Sequence, residues 1–529
     1  MTTGGALGPR PGSSTLTEIE TPSGRVAGRV VADDTSPVHE FTGIRYGLPP
    51  VGPLRLRPPV AVPPWTGVVD ATSTPPRSIQ PATMLAPAGD PEEEDCLALN
   101  VWTPDPSGSL PVMVWMHGGS FTSGSGSIAW YQGARLARRG VVVVTINYRL
   151  GALGFLDLAA LGGDDWAGCA NVGLQDQTLA LTWVRDHIAA FGGDPARVTI
   201  FGESAGAMSV STHLAVPASS GLFRRVIAQS GAAGHVQDTE SGRRAATRAL
   251  DLLGVGPSTL ARLADLPAAA FRDVTNTMQN EDPDRDVPLP FRPTVDGSVL
   301  PVAPLDALAS GAASHIDLLA GTNRDEMNLF RLMALLDGAA PDLEDTRLLR
   351  RLDRALARLG RHAGAETALA AYRAHHPDAG NGDLWAAVST DTVFRMPMLA
   401  MLDAHVTGGG SAWSYHFTHP SSGFGGALGA AHAVEIPFVF DNLGQPGTEM
   451  MLGDVTPERQ RFAADVADRW VTFATADDLT DGTPGWTVPG TDAAWPAYEP
   501  DRRAQVRLDV DAAVIEAHQD DLRELWLGA

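Results

Sequence analysis

FGGDPARVTIFGESAG, residues 191–206, decides how this chain folds. Val198-Thr199-Ile200-Phe201 is a short apolar, β-branched run and predicts a strand. Gly202-Glu203-Ser204-Ala205-Gly206 follows at once, and Met208-Ser209-Val210 continues as a helix. Strand, G-x-S-x-G turn and helix in that order are the setting of a nucleophile elbow. Glycines two residues before and two after Ser204 leave room for a strained turn that lifts its hydroxyl clear of the backbone. The helix behind it aims N–H groups at developing negative charge. A bare G-x-S-x-G also marks solvated turn serines; the strand in front and the long flank make Ser204 the candidate nucleophile.

Outward from the elbow, strands alternate with helices. Leu97–Trp102, Val112–Met116, Val141–Asn147, Leu222–Gln229, Ile316–Gly321 and Trp413–Phe417 read as strands. Ala134–Arg139 and Gln175–Ala190 read as helices between them, and Phe462–Ala474 as a C-terminal helix. The alternation predicts an α/β class with a mostly parallel sheet covered by helices on both faces. Glu18–Val31 predicts an edge hairpin turning at Thr21-Pro22-Ser23-Gly24. Residues 1–16, rich in Gly, Pro, Ser and Thr, are expected to be disordered. Residues 17–527 then form a single domain, with helical insertions at about 238–310 and 340–408 walling a pocket. No strand is expected between Asp238 and Phe271, and residues 72–95 read as a surface loop.

Composition excludes several function classes. The 529 residues carry Asp+Glu 62 against Lys+Arg 39, a net charge of −23, and no lysine. Such a chain has no basic stripe for nucleic acid or anionic membranes. No uninterrupted apolar stretch reaches the ~18 residues of a membrane span. The first residues lack a basic segment followed by an apolar one, so a cytoplasmic location is expected. Cys96 and Cys169 are too few for an all-cysteine zinc site or a disulfide framework, and two reduced, buried thiols are expected. The expected partner is a small molecule, with no metal or organic cofactor, and the expected assembly a monomer or small homo-oligomer.

A serine hydroxyl needs a base, and the base needs an orienting group. In an elbow fold these follow in the order acid, then histidine. Asp325 and Glu326 stand just after the Ile316–Gly321 strand, at a carboxyl end where such sheets bind ligands. Residue type alone does not choose between them. His432, in GAAHAVEIPF at 429–438, is one of 14 histidines and is favoured by chain order. His117-Gly118-Gly119-Ser120-Phe121 follows the Val112–Met116 strand, where a glycine-rich loop can point N–H groups at an oxyanion.

These segments resemble the type-B carboxylesterase family of carboxylesterases, p-nitrobenzyl esterases and cholinesterases. Phe41–Gly47 with Pro49-Pro50-Val51-Gly52, Glu94–Val101, Asn147–Gly151, Asn171–Gln177 and Phe191–Gly206 carry the resemblance. Ala98 departs from it, standing where an aromatic or threonine is usual. The resemblance implies an α/β-hydrolase fold and a triad of Ser204, Glu326 and His432. It further implies oxyanion donors at Gly119, Ser120 and Ala205, and supporting positions at Glu203, Ser230 and Glu435. Val287 and Leu289 fall near the family's acyl pocket. Ser78 stands where relatives often place the cysteine that would bridge Cys96. The loop 73–93 holds no tryptophan, so a cholinesterase-type aromatic platform is not expected. The implied activity is hydrolysis of small to medium, uncharged carboxylic esters. A carbamate or activated-amide hydrolase with the same triad is the alternative, and a non-catalytic binding or adhesion relative a third reading.

Overall fold

The apolar, β-branched runs become the strands of one thirteen-stranded sheet. The computed structural model describes residues 15–31, 36–83, 91–281, 289–340, 342–479 and 483–528. In chain order its strands are β1 Leu16–Thr21, β2 Gly24–Val31, β3 Val38–Arg45, β4 Val68–Asp70, β5 Ala98–Thr103, β6 Leu110–Met116, β7 Val142–Ile146, β8 Gly193–Glu203 and β9 Arg225–Gln229. β10 Gln237–Asp238, β11 Thr294–Val295, β12 Asp317–Asn323, β13 Ala412–Phe417, β14 Gln505–Leu508 and β15 Ala513–Ile515 follow. The order across the sheet is β1-β2-β3-β5-β7-β6-β8-β9-β12-β13-β14-β15, with β4 beside β2. From β7 through β14 every neighbouring pair is parallel, and antiparallel pairs close both edges. Every residue of β7 and the last six of both β6 and β8 are buried, as strands covered on two faces must be.

The strand order sets where a site can form. From β6 the chain crosses to β7 on one side and then to β8 on the other. The carboxyl ends of β6 and β8 therefore border a switch point, the crevice where open α/β sheets bind ligands. The 117–121 loop leaves β6 there and Ser204 leaves β8.

Several elements differ from the sequence expectation. The hairpin turns where expected, but β1 already begins at Leu16, whose Cα partner is Arg29; residues 1–14 lie outside the described residues. β3 escaped the sequence reading because its pairing with β5 slips between Phe41 and Ile44, around Gly43 at φ 79. That bulge breaks the two-residue alternation that marks a strand. The 238–310 insertion carries helices Thr239–Leu253 and Ala268–Gln279, yet Gln237–Asp238 pairs with Thr294–Val295 in a second small sheet. Trp413–Phe417 is not the last strand, because β14 and β15 follow the helix Pro457–Thr475. Nor is that helix the terminal one, since Asp520–Leu527 comes after it. Four- and three-residue strands are too short for periodicity to reveal.

Candidate active site

At the end of β8 the backbone turns through Ser204 at φ 56, ψ −125, and the helix Ala205–His213 begins at the next residue. A non-glycine residue there is strained, and the neighbours hold it. Ser204 donates its N–H to the Gln229 carbonyl at 2.9 Å, and its own carbonyl accepts the Met208 N–H at 2.9 Å. The two glycines serve a close approach rather than a special φ. A Cβ on Gly206 would run into the Met116 carbonyl, and one on Gly202 would stand 2.6 Å from the same oxygen. The elbow is thus pressed against the end of β6.

The 117–121 loop packs on the elbow from β6. A Cβ on Gly118 would lie 2.8 Å from the Glu203 carboxylate and 3.0 Å from Ser204 Cβ. Gly119, Ser120 and Phe121 all have positive φ, at 112, 56 and 60. Among the described residues, the N–H groups of Gly119, Ser120 and Ala205 have no intramolecular acceptor. His117 stacks on Tyr148 with centroids 4.5 Å apart, and burial pushes its imidazole down to about 4. The Tyr148 hydroxyl donates to the His117 carbonyl at 2.8 Å.

Tyr148 is fixed in turn by its neighbour Arg149, whose guanidinium donates to buried Asp176 at 2.6 and 2.8 Å. Replacing Arg149 by Met strands that carboxylate in the core. The expected loss is about 3–5 kcal/mol of stability, read from urea unfolding. A loss under about 1 kcal/mol would show that the pair does not hold this segment.

The acid and the histidine come from β12 and the 429–438 loop. Glu326, fully buried, accepts the Asn323 N–H on Oε1 at 2.7 Å and lies 2.7 Å from His432 Nδ1 through Oε2. Asp325 has other work: its Oδ2 accepts the Ala430 N–H at 2.8 Å and meets Arg324 at 2.9 Å. It holds the loop that carries His432. His432 Nε2 lies 3.0 Å from Oε1 of Glu203, the residue before Ser204. Glu435 accepts from Asn323 Nδ2 at 2.6 Å and Gln229 Nε2 at 3.1 Å. Ser230, at φ 53, donates its N–H to the Gly321 carbonyl at 2.9 Å. Among the described residues its buried hydroxyl has no hydrogen-bond partner.

Three glutamates therefore surround one imidazole. Burial opposes charge on His432, but Glu203, Glu326 and Glu435 outweigh it and raise the group to about 9. Burial pushes the Glu203 carboxyl up to about 8, against the pull of His432. Burial and the Glu326 charge raise Glu435 as well. Phe394 and Phe330 pack on the His432 ring at 4.7 and 5.2 Å between centroids. Neither was read from sequence, although Phe330 stands one helical turn beyond Glu326, a spacing that returns to the same face.

The structure brings together the residues of both glycine motifs with Glu203, Glu326, His432, Glu435 and Ser230. Val287 lies outside the described residues. Leu289 is buried and lines a cavity of about 310 Å³ with Gln237, Arg244 and Met278, none of whose walls is Ser204, Glu326 or His432. Cys96 and Cys169 are buried and unbridged. Among the described residues no cluster of His, Cys, Asp and Glu could hold a metal ion, and no helix is long and apolar enough to cross a membrane.

Comparison with known proteins finds relatives over nearly the whole chain. Residues 15–524 match the model of the carboxylesterase family. The chain is 36% identical over 505 residues to the para-nitrobenzyl esterase of Bacillus subtilis (strain 168), covering 94% of this chain and 96% of that one. It is 35% identical over 485 residues to the fumonisin B1 esterase of Sphingopyxis macrogoltabida, covering 89% and 83%. The crystal structure of a Geobacillus stearothermophilus carboxylesterase superposes with a TM-score of 0.83 at 36% identity, over 96% of this chain and all of that one. The chain belongs to the carboxylesterase family: it is a carboxylic ester hydrolase with the α/β-hydrolase fold.

Proposed function

We propose that Ser204, Glu326 and His432 are the catalytic triad of a serine carboxylesterase acting on small to medium carboxylic esters. The observation that carries this reading is the 2.7 Å contact of His432 Nδ1 with buried Glu326, made beside the strained turn at Ser204. His432 Nε2 takes the proton as Ser204 Oγ attacks the ester carbonyl. Glu326 holds the proton on Nδ1 and stabilises the imidazolium. The N–H groups of Gly119, Ser120 and Ala205 receive the oxyanion, a kind of contact worth ~10²–10³ in turnover for each donor. His432 then protonates the leaving alcohol, and water repeats the cycle on the acyl-enzyme. Unbridged Cys96 and Cys169 support a reducing, cytoplasmic setting. A single sheet drawn from both ends of the chain supports one domain over 17–527.

Hydrolysis of p-nitrophenyl esters from acetate to decanoate tests this reading. An optimum between acetate and hexanoate is expected. Turnover of none of them, with faster hydrolysis of matched phenyl carbamates, would move the assignment to the carbamate alternative. Labelling by a fluorophosphonate is expected at Ser204, and no labelling would return the non-catalytic reading.

Glu203 sets the pH dependence. His432 acts as a base only when neutral, so kcat/KM rises with pH through its titration. Glu203→Gln removes a negative charge 3.0 Å from Nε2. The rising limb is expected to move to lower pH, and a limb that stays or moves up would break the coupling.

A further inference from the structure

Glu435 is held by two side-chain amides, and each amide can face only one way. Trp470, on the helix Pro457–Thr475, donates its indole N–H to Gln229 Oε1 at 3.0 Å. An indole nitrogen only donates, so the oxygen of Gln229 must face it and the NH₂ must face Glu435 Oε1, at 3.1 Å. On the other side, Asn323 Nδ2 donates to the Ala431 carbonyl at 2.8 Å. A carbonyl only accepts, so that NH₂ group is fixed as well, and it also donates to Glu435 Oε2 at 2.6 Å. Both oxygens of one buried carboxyl group therefore meet N–H donors, and such donors favour its ionised form. The four residues come from β9, β12, the 429–438 loop and the helix Pro457–Thr475, and all are buried.

The same residues touch the triad through the backbone. The Gln229 carbonyl accepts the Ser204 N–H, and the Asn323 N–H fixes Glu326 Oε1. The titratable groups around Glu435 are Glu326 after β12, His432 in its own loop, Glu203 at the end of β8, Tyr131 and, from β13, Tyr415. Burial and the Glu326 charge push the Glu435 carboxyl up, and the Asn323 hydrogen bond pulls it back down.

We propose that Trp470, Gln229 and Asn323 are positioning residues that keep Glu435 a carboxylate beside His432, and so set the pH at which the triad becomes active. The inference rests on the triad reading of Ser204, Glu326 and His432. Glu435 charged favours the imidazolium, and Glu435 neutral releases it. The indole opposes the neutral form because it denies Gln229 the reversed orientation, in which the amide oxygen would accept a proton from Glu435. Trp470 thereby acts on His432 through two intervening side chains.

The readout is the pH at which kcat/KM for p-nitrophenyl butyrate reaches half its plateau. Glu435→Gln is expected to move this midpoint about one unit lower, by removing the charge outright. W470F keeps an aromatic ring against Tyr415 and loses the N–H; it is expected to move the midpoint the same way by about half a unit. Q229M removes the donor to Oε1 without touching the indole, and a shift in the same direction is expected. In E435Q/W470F and E435Q/Q229M the midpoint is expected to stay where E435Q alone puts it, because the group the relay acts on is gone. A packing role alone would lower the melting temperature or kcat and leave the midpoint in place. Midpoints in W470F and Q229M within about 0.2 unit of wild type would overturn the relay. So would an unshifted E435Q, or shifts that persist undiminished on E435Q. Wild type that does not hydrolyse the ester would overturn the hydrolase reading instead.

Discussion

Ser204→Ala is expected to lower kcat on p-nitrophenyl butyrate by about 10⁴–10⁶-fold, the range seen when a triad serine is removed. The fold gives this substitution unusual clarity. Ser204 is tied into the elbow through its backbone, by its N–H to Gln229 and its carbonyl from Met208. Alanine keeps both bonds and adds no atom that could meet Gly118. The melting temperature and the near-ultraviolet circular dichroism are therefore expected to match wild type. A variant that retains more than about a tenth of the activity would place the nucleophile elsewhere, however well it folds.

Glu326→Gln is expected to cost about 10³–10⁴-fold in kcat, through the tautomer of His432. Glu326 Oε1 is already committed to the Asn323 N–H. A glutamine keeps its amide oxygen on that donor and turns its NH₂ toward His432 Nδ1. The imidazole then accepts at Nδ1 and carries its proton on Nε2, where it cannot receive one from Ser204. Asp325→Asn is the informative companion. Asp325 anchors Ala430 and never meets the imidazole, so the expected result is a lowered melting temperature with most of kcat retained. Equal losses of kcat in the two variants would remove the distinction between the neighbouring acids.

That distinction also marks the boundary of what the sequence made legible. The elbow and the His117-Gly118-Gly119 loop were readable because their chemistry is local: a strand, a tight turn and glycines where another strand's carbonyl comes close. Asp325 and Glu326 are adjacent acids after the same strand, and no periodicity separates them. Only the family resemblance favoured Glu326, and the difference is physical once the chain is folded, with one carboxylate turned to the 429–430 backbone and the other buried against His432. Phe330 and Phe394 were not foreseen because helical hydrophobics are ordinarily core, and their contact with His432 depends on tertiary packing. β14 and β15 were lost to brevity, and β3 to its bulge. Leu289 stood near the acyl pocket only through the family resemblance, and the cavity it lines has none of Ser204, Glu326 and His432 in its walls.

The three glutamates around His432 make folding itself a proton-binding reaction. Glu203 rises to about 8 from 4.5 and His432 to about 9 from 6.5, so between these limits the folded chain holds protons that the unfolded chain has released. Stability from groups raised in this way is full at low pH and drains away as pH climbs through their folded values. Buried His117 and His213, pushed down to about 4 and 3 from 6.5, act in the opposite direction, but most of that effect is complete by pH 7 because their unfolded forms titrate near 6.5. The urea midpoint is therefore expected to fall from pH 7 to pH 9, and a midpoint that rises would contradict it. Over that same interval His432 becomes free to act as a base. The alkaline conditions that ready this enzyme for turnover are those that loosen its hold on its own structure.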